Sequence, residues 1–282
     1  MGTKDSFSGG GGNIGNDLRE GIDDWLASLP GGAGGGGDTP PDAEPNEPGQ
    51  PGQPGQQGPA VPGGAGSGTK PKLSPTARRV LPTAVLFKTA SGTGSGSRRG
   101  TAAQFTRSAS TSSRTAGRGA AAAYAYRTGN AAVLRELGLD YEALRSNPNI
   151  IDVVHQISQK VCEDLQPGTI DTEEQIRVVA DIAEWIVTTD VNGNPPSPAE
   201  IAVETLAVVL HRAYLTTTAA ELNTKDLTGS ERIAFEAGVR AACEELAAQA
   251  DLSPTGATPS EFTAAIERGL EFLQAVYEAS DE

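Results

Sequence analysis

Residues 197–277, SPAEIAVETLAVVLHRAYLTTTAAELNTKDLTGSERIAFEAGVRAACEELAAQADLSPTGATPSEFTAAIERGLEFLQAVY, decide the fold. Three times a hydroxyl residue stands three places before a Glu, just ahead of an apolar run: Ser197 with Glu200, Thr228 with Glu231, Thr258 with Glu261. Each is a capping box, in which two helix-start N–H groups are satisfied reciprocally. Pro198 and Pro259 occupy the first helical position, where a missing N–H costs nothing. Behind the boxes, Ile201, Leu206, Val209, Leu210 and Tyr214, then Ile233, Phe235, Val239 and Leu246, then Phe262, Ile266, Leu270, Leu273 and Tyr277 recur at helical spacing.

Working towards the N-terminus, Asp171 or Thr172 opens a helix carrying Ile176, Val179, Ile182, Trp185 and Ile186. Asn149 opens another with Ile150, Ile151, Val154, Ile157 and Val161, and before it an Ala-rich stretch from 119 ends near Gly138. The reading is all-α: a C-terminal bundle of five or six helices over 119–282, long enough for one core. Ahead of it stands a long disordered Gly/Pro-rich and basic N-terminal region with one short amphipathic helix.

That region divides by composition. Residues 1–12 are Gly-rich and bury too little to order themselves. Residues 13–30 carry Ile14, Leu18, Ile22, Trp25, Leu26 and Leu29 as one apolar stripe, with Asn16 a plausible cap and Pro30 the stop. An isolated helix of this length is marginal in water, so the stripe needs a docking surface. Residues 31–73 read as a linker of polyproline II character, spanning roughly 36 Å as a coil. Residues 74–118 are basic and rich in Ser, Thr and Arg, and read as weakly structured.

Charge segregates with these blocks. Of the 282 residues, 1–69 carry nine acids and two bases, 70–127 eleven bases and no acid, and 128–282 27 acids and nine bases. A basic block of this kind seeks phosphate or an acidic protein surface. With few aromatics available for base stacking (Phe87, Phe105, Tyr124, Tyr126), lying on the acidic domain behind it is the preferred reading.

Chemistry-bearing motifs are weak. Cys162, Cys243, His155 and His211 stand singly in helical patterns, with no CxxC or HxxxH pair, so packing is the expectation, with no metal site and no cofactor. Asp190–Asn194 begins like a calcium loop, but Pro195 and Ile201 stand where Gly and Glu are required, and a helix–helix turn explains it better. GGAGSGTK at 63–70 lacks the order of a phosphate loop. Two cysteines, no apolar leader and no long apolar run suggest a soluble protein of the reducing cytoplasm, not a membrane one.

The N-terminus is the more informative end. Gly2 permits removal of Met1 and would leave a free α-amine. With pKa ≈ 7.7–8.0, roughly 10–17% of such an amine is neutral at pH 7, against about 0.04% of a lysine. Gly offers no side chain to obstruct entry into a narrow pocket. The eleven residues from Gly2 to Asn13 reach roughly 35 Å extended. Met1 to Ser6 also matches a myristoylation pattern, but Asp5 follows Lys4 where a polybasic stretch would be needed, and no lipid anchor is expected.

The opening MGTKDSFSGGGGN, the Gly/Pro-rich insert, SRRGTAAQFTRSASTSSRTAGRGAAAAYAYRTGNAA and VCEDLQPGTIDTEEQIRVVADIAEW together resemble the component B family of the Qat anti-phage defence system (QatB). The resemblance implies a bacterial operon with an ATPase, a QueC-like enzyme and a TatD-like nuclease. It implies a non-enzymatic partner of the QueC-like enzyme, whose type activates a 7-deazaguanine carboxylate with ATP. Gly2 would then be the acceptor amine, presented by Thr3, Lys4 and the residues after them, while Leu18, Ile22, Trp25 and Leu26 dock on the partner. The alternative expectation is a nucleic-acid-binding adaptor using residues 70–127.

Overall fold

The computed structural model describes residues 73–81, 86–87, 98–165, 169–225, 227–250, 252 and 256–278. These form helices α1 (Pro75–Val80), α2 (Arg98–Thr128), α3 (Ala131–Glu136), α4 (Tyr141–Ser146), α5 (Ile150–Val161), α6 (Ile170–Thr188), α7 (Pro198–Thr224), α8 (Gly229–Ala247) and α9 (Pro259–Glu278). The fold is all-α, with no strand among the described residues. The expected helix over 13–30 and the linker after it lie outside them, save Leu73, the last linker residue, which is buried.

Start signals act as the sequence suggests. The Ser197 and Thr228 hydroxyls accept from the Glu200 and Glu231 N–H groups, and both Glu side chains accept from the cap N–H in return. At the third box, the Thr258 N–H donates to Glu261 Oε2 at 3.0 Å and the Glu261 N–H to the Thr258 hydroxyl at 3.4 Å. Asn149 caps α5. The cap of α6 is Thr169, two to three residues earlier than expected, because its hydroxyl accepts from the Thr172 N–H.

The basic segment is the main correction. Weak structure was expected over 74–118, with the domain starting at 119; instead, α2 runs unbroken across that boundary and is wrapped by α6, α7 and α9. Its inward face is made of small residues: Ala109, Ser113, Ala116, Ala120 and Ala121 are essentially solvent-free. Small side chains let neighbouring backbones approach. A Cβ on Gly117 would lie 2.7 Å from the Thr263 backbone nitrogen of α9, and one on Gly119 would lie 2.8 Å from Val179 Cγ1 of α6. Hydrophobic counting missed the helix because close packing of Ala, Gly and Ser supplies contact without bulky side chains.

The Ala-rich stretch is likewise two helices rather than one ending near Gly138. Gly129, at φ 72°, breaks it after Thr128, and Asn130 caps α3. The calcium-like sequence is a tight turn joining α6 to α7. Val191 and Asn194 exchange both backbone hydrogen bonds, at 2.8 and 3.1 Å. Asn192 and Gly193 take the left-handed backbone at φ 54° and 80° that such a turn demands.

The short α1 is fastened to the body. Leu73, Ala77, Val80 and Leu81 are buried, and α1 packs on α8. The Tyr214 hydroxyl, fully buried in α7, donates to the Val80 carbonyl at 2.9 Å. The Ser74 hydroxyl donates to Glu245 Oε2 at 2.7 Å, and its N–H bonds the same carboxylate.

Candidate functional site

Gly2, Thr3, Lys4, Leu18, Ile22, Trp25 and Leu26, the residues singled out by sequence, lie outside the described residues. What the structure adds is the ground on which that leader stands. Leu73 is buried, and from Ser74 to Leu81 the chain is held by burial and by the Glu245 and Tyr214 hydrogen bonds. A pull or a push on residues upstream is therefore borne by α8 and α7.

Among the described residues, the cations of α2 from Arg107 to Arg127 split into two sets. Arg118 pairs with Asp164 at 3.2 Å, and Arg127 reaches both Asp190 and the Thr189 carbonyl. These lie on the acidic part of the chain, the arrangement preferred from the charge pattern. Such exposed pairs contribute little to stability, roughly 0–1 kcal/mol each. Arg107 and Arg114 are exposed on the outer face of α2 and have no ion-pair partner among the described residues.

The sulfur and imidazole groups are built into the packing. Cys162 ends α5, and burial pushes its thiol up to about 11, Arg118 opposing only in part. Cys243 is fully buried in α8, and burial raises its thiol still further. A thiol so raised is a poor nucleophile at neutral pH. His211 sits between α7 and α8; burial, then Arg240 and Arg212, lower it to about 4, so it is neutral. Its Nε2 is buried with no hydrogen-bond partner among the described residues. His155 is exposed on α5. Among the described residues no group of three or more His, Cys, Asp and Glu could hold a metal ion, and no helix is long and apolar enough to cross a membrane.

A charged cluster pins α7 to α8. The Arg240 guanidinium bridges Glu204 of α7 and, at 2.8 Å, Glu244 of its own helix. Burial raises the Glu204 carboxyl above its ordinary value, and Arg240 opposes that shift.

Two surface hollows were not legible in the sequence. One, of about 190 Å3, lies between the N-terminal half of α2 and the C-terminal half of α9. Its floor is Phe87, Phe105, Ala109 and Leu270, and its rims carry Thr106 and Ser110 on α2 and Glu267 and Glu271 on α9. Phe87 packs edge-on against Phe105, with ring centroids 5.4 Å apart, and stacks on Tyr277 at 5.7 Å. The other, of about 500 Å3, is shallow and of mixed character, bordered by Leu139, Asp140, Ala143, Gln156, Lys160 and Glu163. The only sequence signal for the first was the isolated Phe87 and Phe105 in an otherwise hydroxyl-rich stretch.

No known protein family, curated protein or solved structure matches this chain.

Proposed function

We propose that this chain is a non-enzymatic anti-phage defence component of the Qat type. Its helical body binds a QueC-like enzyme of the same operon, with the operon's ATPase and TatD-like nuclease as further partners, in the cytoplasm. Its leader presents the Gly2 α-amine to that enzyme. The neutral amine attacks the ATP-activated carboxyl carbon of a 7-deazaguanine-type acid. An amide bond forms, the activating group leaves, and the amine proton passes to solvent. The stripe of Leu18, Ile22, Trp25 and Leu26 docks on the partner and sets where Thr3 and Lys4 enter.

The observation that supports this reading is the anchor at Leu73–Leu81. A leader that must deliver a reactive end needs one fixed point, and burial of Leu73, Val80 and Leu81 together with the Tyr214–Val80 bond supplies it. The buried, protonated thiols and the neutral His211 belong to the same picture, since they serve packing.

Intact-mass analysis of the full chain co-expressed with the QueC-like enzyme tests the proposal. The expected result is added mass on the N-terminal peptide after loss of Met1, and its absence in Gly2→Pro, whose secondary amine is obstructed. An unmodified terminus beside an active partner overturns it.

A second reading, a nucleic-acid adaptor, is favoured by one observation: Arg107 and Arg114 are exposed without ion-pair partners among the described residues. It requires binding that weakens steeply with salt and with R107E/R114E. Salt-insensitive or absent binding removes it.

A further inference from the structure

Helices α8 and α1 form an outer layer. α8 packs on α7 and α1 and makes at most marginal contact with the other described helices. Beneath it, α2 packs on α6, α7 and α9, and α7 packs on α6 and α9. The two members of the layer are tied to each other by the bonds from Ser74 to the Glu245 carboxylate.

The layer meets the body along α7. Phe235, Val239, Cys243 and Leu246 of α8 are solvent-free, and the Tyr214 ring of α7 lies 6.5 Å from that of Phe235. Polar ties cross the same seam. The Tyr214 hydroxyl donates to the Val80 carbonyl, Arg240 pairs with Glu204, and a ring N–H of His211 donates to the Glu236 carbonyl.

His211 differs from the other ties in what a proton does to it. Its second proton would go to Nε2, which is buried with no hydrogen-bond partner among the described residues. An imidazolium there is a buried charge without a counter-ion. Arg212, next to it on α7, and Arg240, across the seam on α8, add cationic charge. The nearby carboxylates are taken up by those guanidinium groups: Asp181 of α6 bonds Arg212 at 2.6 Å, and Glu204 and Glu244 bond Arg240. The Glu236 side chain is exposed.

Once the seam parts, water reaches both ring nitrogens and the ring titrates near its ordinary 6.5. In the closed form burial first, then Arg240 and Arg212, lower it to about 4. Between those values the open form binds the proton and the closed form does not, so acidification favours opening. From pH 7.5 to pH 5 the opening equilibrium rises by up to about 30-fold. Glu204 acts in the other sense. Burial holds its carboxyl above the ordinary value, with Arg240 opposing, so its protonation favours the closed form. Burial raises the Cys243 thiol and the Tyr214 phenol, and neither titrates on acidification.

We propose that His211 is an acid-sensitive latch: as pH falls, the α1–α8 layer parts from α7 as a unit while α2, α6, α7 and α9 stay packed. Such partial opening is a property of contiguous units within a fold. Residues 1–72 precede this layer in the chain, so its parting also unfastens the leader of the proposed function. The latch itself does not rest on that function.

The two cysteines report on it. Cys243 is solvent-free inside the layer, and Cys162 ends α5 outside it. The full chain is treated with a pyridyl disulfide, which reacts with thiols in mild acid as well as at neutral pH, and the labelled peptides are separated by mass. Each rate is divided by that of the urea-unfolded chain at the same pH; when reclosing outpaces labelling, the ratio reads the open population. Protection of Cys243 is expected to fall several-fold from pH 7.5 to pH 5, with about 30-fold as the limit, while that of Cys162 holds. In His211→Gln the fall should vanish or reverse, since Glu204 then titrates alone. His155→Gln, on the exposed surface of α5, should keep it. Equal Cys243 protection at the two pH values overturns the proposal. So does loss at both cysteines together, which is unfolding of the whole body, and so does a fall that survives His211→Gln. The unsubstituted chain gives an independent reading, because it has only two histidines. By NMR the His211 ring should stay neutral until Cys243 loses protection; a ring that titrates near 6.5 with Cys243 still protected refutes the latch. None of these results bears on modification of Gly2, which the mass analysis reads separately.

Discussion

Replacing Gly117 by Ala tests the claim that α2 is a core helix held by close approach. Two effects oppose each other. Ala is the better helix former by about 0.8–1.0 kcal/mol, so a solvent-facing glycine would gain from the change. Here the added Cβ would stand 2.4 Å from Thr263 Oγ1, 2.7 Å from its backbone nitrogen and 2.9 Å from its Cα. The hydroxyl could rotate, although it bonds the Pro259 carbonyl at 2.8 Å. The nitrogen and Cα cannot move without sliding α9 away from α2. Overpacking of this kind costs about 1–3 kcal/mol, and contact with backbone argues for the upper end. The net expectation is a loss of about 1–2 kcal/mol. Urea unfolding followed by circular dichroism reads this as a midpoint lowered by about 0.5–1 M, for a slope near 2 kcal/mol/M. Gly229→Ala is the internal control. It also begins in a helix, nothing lies within 4 Å of its added Cβ, and it should gain about 0.4–1 kcal/mol. Gly119→Ala falls between, because its clash is with a Val179 methyl and not with backbone. Thr263→Ala should not rescue Gly117→Ala, since the backbone clash survives it. If Gly117→Ala is as stable as the parent while Gly229→Ala is stabilised, α2 does not meet α9 at this point and its central position is refuted.

Three further expectations follow from the polar network. Ser197→Ala should cost about 1 kcal/mol. Hydrogen bonds from the Ser197 backbone and side chain hold the Glu200 carboxyl below its ordinary value, so its contribution is complete above about pH 4.5 and is lost as pH falls through the depressed value; in an acid titration Glu200→Gln should flatten that part of the stability profile. Arg240→Met leaves Glu204 without its partner, with the carboxylate side chain only 13% exposed. The loss at pH 7 should be about 2–3 kcal/mol, below the 3–5 of a fully buried pair because the site keeps some solvent, and it should shrink on acidification as Glu204 takes up a proton. With the Cys162 thiol at about 11, only about 0.1% is thiolate at pH 8, so a thiol-specific disulfide reagent at that pH should label native protein slowly and both cysteines rapidly in urea; fast labelling of native protein would contradict the burial of either.

The helices that announce themselves in the sequence are those whose starts need a particular side chain. Ser197, Thr228, Thr258 and Asn149 each satisfy backbone N–H groups that would otherwise be orphaned, and each stands where its helix begins. Thr169 was missed in favour of Asp171 or Thr172 because all three can cap, and only the fold shows that the Thr169 hydroxyl faces the Thr172 N–H. The failure at α2 has a different origin. Periodicity arguments weigh large apolar residues, whereas the buried face of α2 is Ala109, Ser113, Ala116 and Ala120, with Gly117 and Gly119 flanking it where α9 and α6 approach. What marks the face is smallness, which a hydropathy scale scores as near neutral. The groove was invisible for a related reason: Phe87 and Phe105 lie apart in sequence, and their edge-on contact exists only once the segment carrying Phe87 packs on α2.

The same helix links the charge pattern to function. A stretch with eleven bases and no acid from 70 to 127 looks like a polyanion-binding arm when its composition is averaged. Its part from Arg98 onward folds as α2, with one face of small residues that fixes it in the core and another that carries Arg107 and Arg114 outward. Arg118 and Arg127 then meet the chain's own acids, Asp164 and Asp190. Arg107 and Arg114 are held on the outer face by a helix that cannot turn without breaking the Gly117–Thr263 contact. Their direction is set by packing, so a partner for them must come to that face. A charge reversal at Arg107 and Arg114 should therefore leave the urea midpoint of the body unchanged, whereas Gly117→Ala should lower it.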